Sequence, residues 1–168
     1  MGKKINFLAK KDFKHAVNSL PLVSIDICFI KNRDMLLGKR NNKPAKNFWF
    51  SPGGRIRKDE QLSQAFKRIV SNEVGLKNFN IKESFLMGVW DHFYEDSAYS
   101  DEITTHYINL PHYYIFKDDL YKNLILPKGA NEQHSDWLWL PLEDIIGNPD
   151  AHKHVRVYAK WILDNNVI

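Results

Sequence analysis

Glu73 is a carboxylate where the local pattern disfavours one. It lies four residues beyond Ile69 and three beyond Val70, so it projects from the same side of a helix as an apolar stripe. It is also near a helix C-terminus, where the backbone dipole opposes negative charge. A carboxylate turned inward at that point needs a cation. Upstream, Gly53 and Gly54 let the chain turn sharply and bring bare peptide groups close to a ligand. Far downstream, Gln133 offers an amide oxygen suited to a hard cation, and His134 offers a ring whose ordinary pKa permits proton acceptance near neutral pH. Taken without the helix, residues 131–136 read as an exposed polar loop.

Six further positions could take part. Arg40 ends an apolar run and can grip a diphosphate with two parallel hydrogen bonds. Arg55 and Arg68 are additional phosphate contacts, and Arg68 can also pair with Glu60 to brace the helix. Asp26 is a charge in the middle of an apolar strand pattern, where burial without a partner costs several kcal/mol. It is a satisfied structural carboxylate or a site residue, with equal weight on each. His92 and Tyr107 both carry a polar tip on a flat body and could reach a sugar or a phosphate, although a His among aromatics is as readily structural.

The elements that must position these groups follow from periodicity. Leu62, Ala65, Phe66, Ile69 and Val70 fall on one helical face, with Asp59 as the expected cap and Gly75 as the stop. Leu22 to Ile30 alternates as a strand, and Asn32-Arg33-Asp34 is the expected hairpin turn into a strand from Met35 to Arg40. Residues 79–90, Asp101 to Leu110, Tyr113 to Phe116 and Trp137 to Leu140 read as further strands. Helices are expected over Lys10 to Leu20, Pro141 to Ile146 and residues 151–163, with Tyr158 in the buried stripe of the last and His152 and His154 facing solvent.

The chain has 168 residues, 43% hydrophobic and 13% aromatic, which suits one well-packed domain over residues 1–168. Lys and Arg number 24 against 20 acids. That modest excess suits a polyanionic small molecule, and without a dense basic tract no nucleic-acid partner is expected. One cysteine, Cys28, in an apolar run points to a reduced cytoplasmic protein, and neither a signal peptide nor a membrane span is evident.

From Gly53 to Leu76 the sequence resembles the Nudix box, a loop–helix–loop that binds divalent metal and diphosphate. Gly54, Glu60, Arg68, Val70, Glu73, Gly75 and Leu76 match in register, while Ile69 and Asn72 stand where the box carries acids. That reduced box, together with GVWDHFYED, TTHY and EQH, is similar to the GDP-mannose mannosyl hydrolases, which attack the sugar carbon rather than phosphorus. The resemblance implies an α/β fold with a mixed β-sheet sandwiched between helices, a homodimer, and a nucleotide-sugar substrate. It implies one Mg2+ per subunit, or Mn2+ in its place, held by the Gly53 carbonyl, Glu73 and Gln133. It implies His134 as base, Arg40 on the leaving group, and Phe7, Leu8 and Phe13 on the nucleotide. Arg55, Arg68, Asp26, Tyr107 and His92 complete the expected site. A phosphorus-attacking diphosphatase and a non-catalytic nucleotide-sugar sensor are the alternatives.

Overall fold

The computed structural model describes residues 8–168, apart from 78, 80, 118, 130 and 131. Its centre is β1 (Leu22–Lys31), which runs parallel to β7 (Thr105–Ile115) from Leu22 opposite Tyr107 to Ile30 opposite Ile115. The other edge of β1 is shared. Its C-terminal end pairs with β2 (Asp34–Arg40) through a tight turn in which Asn32 and Arg33 both have positive φ, the geometry that matches strand twist in a short hairpin. Its N-terminal half pairs with β4 (Gly53–Arg55), Asp26 opposite Gly53. β3 (Trp49–Phe50) and β8 (His134–Pro141) flank β2, and β5 (Phe85–Leu86) and β6 (Trp90–Tyr94) share the outer edge of β7.

Both faces of this eight-stranded mixed sheet are buried. Ile25, Ile27, Phe29 and Leu36 pack on α2 (Leu62–Val74) through Ala65, Phe66, Ile69 and Val70. Cys28, Ile30, Met35 and Leu37 pack on α3 (Leu142–Gly147) and α4 (Lys153–Asp164) through Leu142, Ile145, Val155, Tyr158, Ala159 and Ile162. The alternation within β1 therefore separates two cores, as a strand buried on both sides requires. α1 (Lys10–Ser19) lies at the edge and buries Val17.

Several expectations change. α2 starts at Leu62 with Gln61 as its cap, and Gln61 N donates to Gln64 Oε1 at 3.0 Å. Asp59 sits before it at φ 61° in a turn that is closed by Arg57 N donating to Glu60 Oε2. Leu62 is exposed rather than part of the buried face. Residues 79–90 are not one strand: a 3-10 turn at Ile81–Glu83 precedes β5, and Gly88 at φ 148° separates it from β6. That break is useful to β7, which runs unbroken through Pro111. The N and O of one strand residue point the same way, and the Pro111 carbonyl accepts from Met87 N in the gap. The missing N–H thus falls where no ladder bond is required. Asp101 to Thr104 is loop, and β7 begins only at Thr105.

His152 and His154 do not face solvent. His154 stacks on His92 with ring centroids 3.6 Å apart and planes 8° apart, and His152 packs against Phe50 and Tyr94. Burial drives all three imidazoles down from 6.5, to about 3 for His92 and His152 and about 4 for His154. The folded protein holds them neutral, whereas the unfolded chain takes up protons as pH falls below 6.5. Their contribution to stability is therefore complete above about pH 6.5 and is lost as pH falls toward 4. Asp26 and Glu73, raised by burial, oppose this in part. Thermal unfolding from pH 7 to pH 4 should show a falling Tm, with a shallower fall in His154→Phe. A flat profile would contradict the neutral stack.

Candidate functional site

The fork in the pairing of β1 opens a cavity of about 320 Å³ between β4, the start of β1, and the loops after β2 and β6. Asp26 lies on its wall because β4, and not β2, meets β1 at that point. A side chain on Gly53 would bring its Cβ to 2.2 Å from Asp26 Oδ1, so glycine is needed for this approach. At Gly54 an added Cβ would meet Ile69 Cγ1 at 3.3 Å, which packs β4 tightly onto α2.

Glu73, at the last turn of α2, reaches the same wall. Gln133 Nε2 donates to Glu73 Oε2 at 2.9 Å and to the Gly53 carbonyl at 3.5 Å. A carboxylate oxygen and a carbonyl oxygen therefore converge on one point, from elements 20 and 60 residues away from each other along the chain in the case of Gly53 to Glu73 and Glu73 to Gln133. Half a turn of the amide presents Oε1 to that point instead. The donor set fits a single hard cation, with the remaining oxygens of a sixfold shell left to water and substrate. It does not fit several: Ile69 is buried, Asn72 is neutral, and among the described residues no cluster of three His, Cys, Asp or Glu side chains could hold a metal. Without an ion, burial pushes the Glu73 carboxyl up to about 7 against the pull of Arg40, and the Asp26 carboxyl up to about 6.

Arg40 supplies positive charge from the end of β2. Its Nη2 donates to the Pro44 carbonyl at 3.3 Å, and its buried Nε has no partner. Arg55 lines the cavity with its guanidinium 3.9 Å from the centre of the Phe13 ring, and Phe13 meets Tyr99 edge-on at 4.6 Å. Tyr107 lines the wall, its hydroxyl held protonated by burial. Arg68 also reaches the cavity, but Nε and Nη2 grip Glu60 at 2.7 and 2.8 Å and Nη2 donates to the Arg55 carbonyl at 2.9 Å. Bracing is thus the role its contacts show. Leu8 is exposed, and Phe7 lies outside the described residues.

Two residues are placed differently from expectation. His92 is not on the cavity wall. It lies behind Asp26, its Nδ1 4.0 Å from Asp26 Oδ2 and its Nε2 3.1 Å from the Tyr158 hydroxyl. His134 belongs to β8, opposite Arg40, rather than to a polar loop, and a register shift in β2 between Gly38 and Arg40 turns it inward. Its ring lies over Gly38 and beside Trp137, 1% exposed, with Nδ1 3.6 Å from Glu73 Oε2 and Nε2 unpartnered. Burial and the Arg40 charge lower it to about 3, so the contact with Glu73 involves a neutral ring. Gln133, not His134, forms the wall. Neither Asn109, which lines the cavity, nor Tyr158 as a polar contact was legible in the residue pattern. Both sit in ordinary strand and helix patterns, and only their partners across the sheet reveal them.

A NUDIX domain model matches residues 20–162. The low-salt glycan biosynthesis protein Agl8 of Haloferax volcanii is 33% identical over 97 residues, 58% of this chain and 60% of that protein, so the match spans under two thirds of the relative. The NUDIX domain of Shewanella oneidensis NrtR complexed with ADP ribose has a TM-score of 0.62 at 15% identity, covering 95% of this chain and 99% of that one. A bifunctional NMN adenylyltransferase/ADP ribose pyrophosphatase from Francisella tularensis, complexed with AMP and Mn ion, has a TM-score of 0.64 at 22% identity, covering 93% and 45%. At these identities the two structures establish a shared fold.

An added Cβ at Gly38 would lie 2.4 Å from His134 Cδ2 and 2.6 Å from Cγ. Gly38→Ala should therefore displace the ring at a stability cost of about 1–3 kcal/mol and carry Glu73 and Gln133 with it. Calorimetry together with a Mg2+ titration checks this. An unchanged Tm would show that the ring moves freely.

Proposed function

We propose, from the premise that the chain belongs to the NUDIX domain family of hydrolases, that it hydrolyses a nucleoside diphosphate sugar, GDP-mannose or GDP-glucose, to GDP and free sugar. The observation that carries this reading is the single-carboxylate donor set: the Gln133 amide meets Glu73 and the Gly53 carbonyl, while Ile69 and Asn72 add no acid. Phosphorus attack of the kind that needs several bridged metals and a helix carboxylate as base has no residues to support it on α2. Neutralising a departing diphosphate needs less. Residues Gly53, Glu73 and Gln133 would hold one Mg2+, or Mn2+, which supplies charge neutralisation to the diphosphate when bound.

Arg40, with its unpartnered Nε, and Arg55 donate to the phosphate oxygens, which makes GDP a better leaving group. Arg68 contributes by holding the Arg55 carbonyl and the turn before α2. Water adds to the anomeric carbon from the face opposite GDP, the carbon–oxygen bond to GDP breaks, and the configuration inverts. His134, whose buried Nε2 has no hydrogen-bond partner in the protein, takes the water's proton. Asp26 and Tyr107 position the sugar, and His92 supports Asp26 from behind. Phe13, against the Arg55 guanidinium, and Leu8 would contact the nucleotide. The protein acts as a single-domain cytoplasmic homodimer without nucleic-acid or membrane partners. Among the described residues no helix is long and apolar enough to cross a membrane. The glycan-biosynthesis name of the Haloferax relative supports a nucleotide-sugar substrate, since such sugars are the donors of glycan assembly.

Hydrolysis in oxygen-18 water with Mg2+ should place the label in the sugar. Label in GMP would mean phosphorus attack, and binding without turnover would mean a sensor. His134→Ala should lower kcat by about 10²–10⁴-fold. Gln133→Ala should raise the Mg2+ needed for half-maximal rate by at least about tenfold. An unchanged Mg2+ titration would remove Gln133 from the donor set.

A further inference from the structure

We infer that Tyr158, on the far face of the sheet from α2, is the positioning residue that sets the Asp26 carboxylate in the cavity. Tyr158 is fully buried and does not itself line the cavity. A phenylalanine would fill the same core, so the hydroxyl has a separate purpose, and its contacts show which. Its oxygen lies 2.7 Å from Asp26 Oδ2, 3.1 Å from His92 Nε2 and 3.1 Å from Asn109 Oδ1.

A tyrosine hydroxyl has one proton to give. The shortest contact and the charged acceptor are both Asp26, so the proton goes there. His92 is held neutral by burial against His154, so it presents Nε2–H to the Tyr158 oxygen and completes a one-way chain from His92 through Tyr158 to Asp26. Asn109 joins the chain from the side. Its amide also meets the Ser24 hydroxyl at 2.7 Å, and turning that amide over gives Tyr158 a donor and Ser24 an acceptor. Ser24, Asp26 and Asn109 all line the cavity. One hydroxyl from α4 therefore fixes three wall residues on β1 and β7.

The second carboxylate oxygen lies against Gly53. Oδ1 lies under Gly53, close enough that any Cβ there would reach it at 2.2 Å. With Oδ2 tethered by Tyr158 of α4 and Oδ1 against Gly53 of the neighbouring strand β4, the carboxylate has one orientation. Loss of the tether frees rotation about the Asp26 side chain without emptying the core. This assignment goes beyond the proposed hydrolysis but uses it as a readout.

Tyr158→Phe removes only the oxygen. With the nucleotide sugar that the wild-type protein turns over, kcat should fall by about 10–100-fold, the scale expected when a reacting group is misplaced by about an ångström. KM and the Mg2+ half-saturation should barely move. In an Asp26→Asn background the same substitution should cost no further rate, since the two act through one contact. Unchanged kcat, or an equal loss in both backgrounds, would overturn the assignment and leave Tyr158 as core packing. If the wild-type protein turns over no nucleotide sugar, the functional proposal fails by itself. A crystal structure of Tyr158→Phe then decides the positioning role: a rotated Asp26 carboxylate supports it, and a carboxylate still seated under Gly53 overturns it.

Discussion

Two carboxylates taken out of water are the constraint on which the site depends. Asp26 and Glu73 both lose hydration in the body of the fold, and their carboxyl groups are pushed up to about 6 and about 7 as a result. Such groups persist only where other atoms offset the loss. Arg40 acts on both through space, Tyr158 donates directly to Asp26, and the Gln133 amide donates directly to Glu73. A cation between Glu73 and the Gly53 carbonyl would replace that amide with a stronger partner, so the same desolvation that strains the isolated protein favours an ion.

The backbone makes this possible by dividing one strand edge between two neighbours. β1 gives its C-terminal end to β2 and its N-terminal half to β4. Between them a wedge remains that neither strand fills, and Asp26 points into it. The register shift after Gly38 serves the same end on β2, turning Arg40 and His134 toward the wedge while Trp137 to Pro141 keep regular pairing. Bulges are a common means of aiming side chains at a site without giving up the sheet. α2 adds its last turn, clamped at its start by the Glu60 and Arg68 pair.

Much of this was legible from pattern. The alternation in Leu22 to Ile30, the 3.6-residue stripe of α2 and the spacing of Glu60, Arg68 and Glu73 are local signals, and the matching elements formed with small shifts of boundary. Failures came where a nonlocal partner decided. Residues 79–90 have strand character throughout, yet Gly88 interrupts them because β7 carries Pro111 opposite that gap. His152 and His154 sit near the start of an amphipathic helix and look solvated, but the sheet face against which that helix packs supplies His92, Tyr94 and Phe50 to cover them.

The amino-acid order alone determined the family-like loop and helix, the strand and helix types, and the shortage of acids on α2, because each depends on residues within a few turns of one another. Only the tertiary structure decided that Gln133 meets Glu73 across 60 positions, that His134 is sealed over Gly38, and that Tyr158 of α4 packs onto the sheet face that carries Asp26. The physical reason is that a carboxylate's orientation and charge are set by whichever dipoles come within about 3 Å, and chain spacing does not encode which side chains those are.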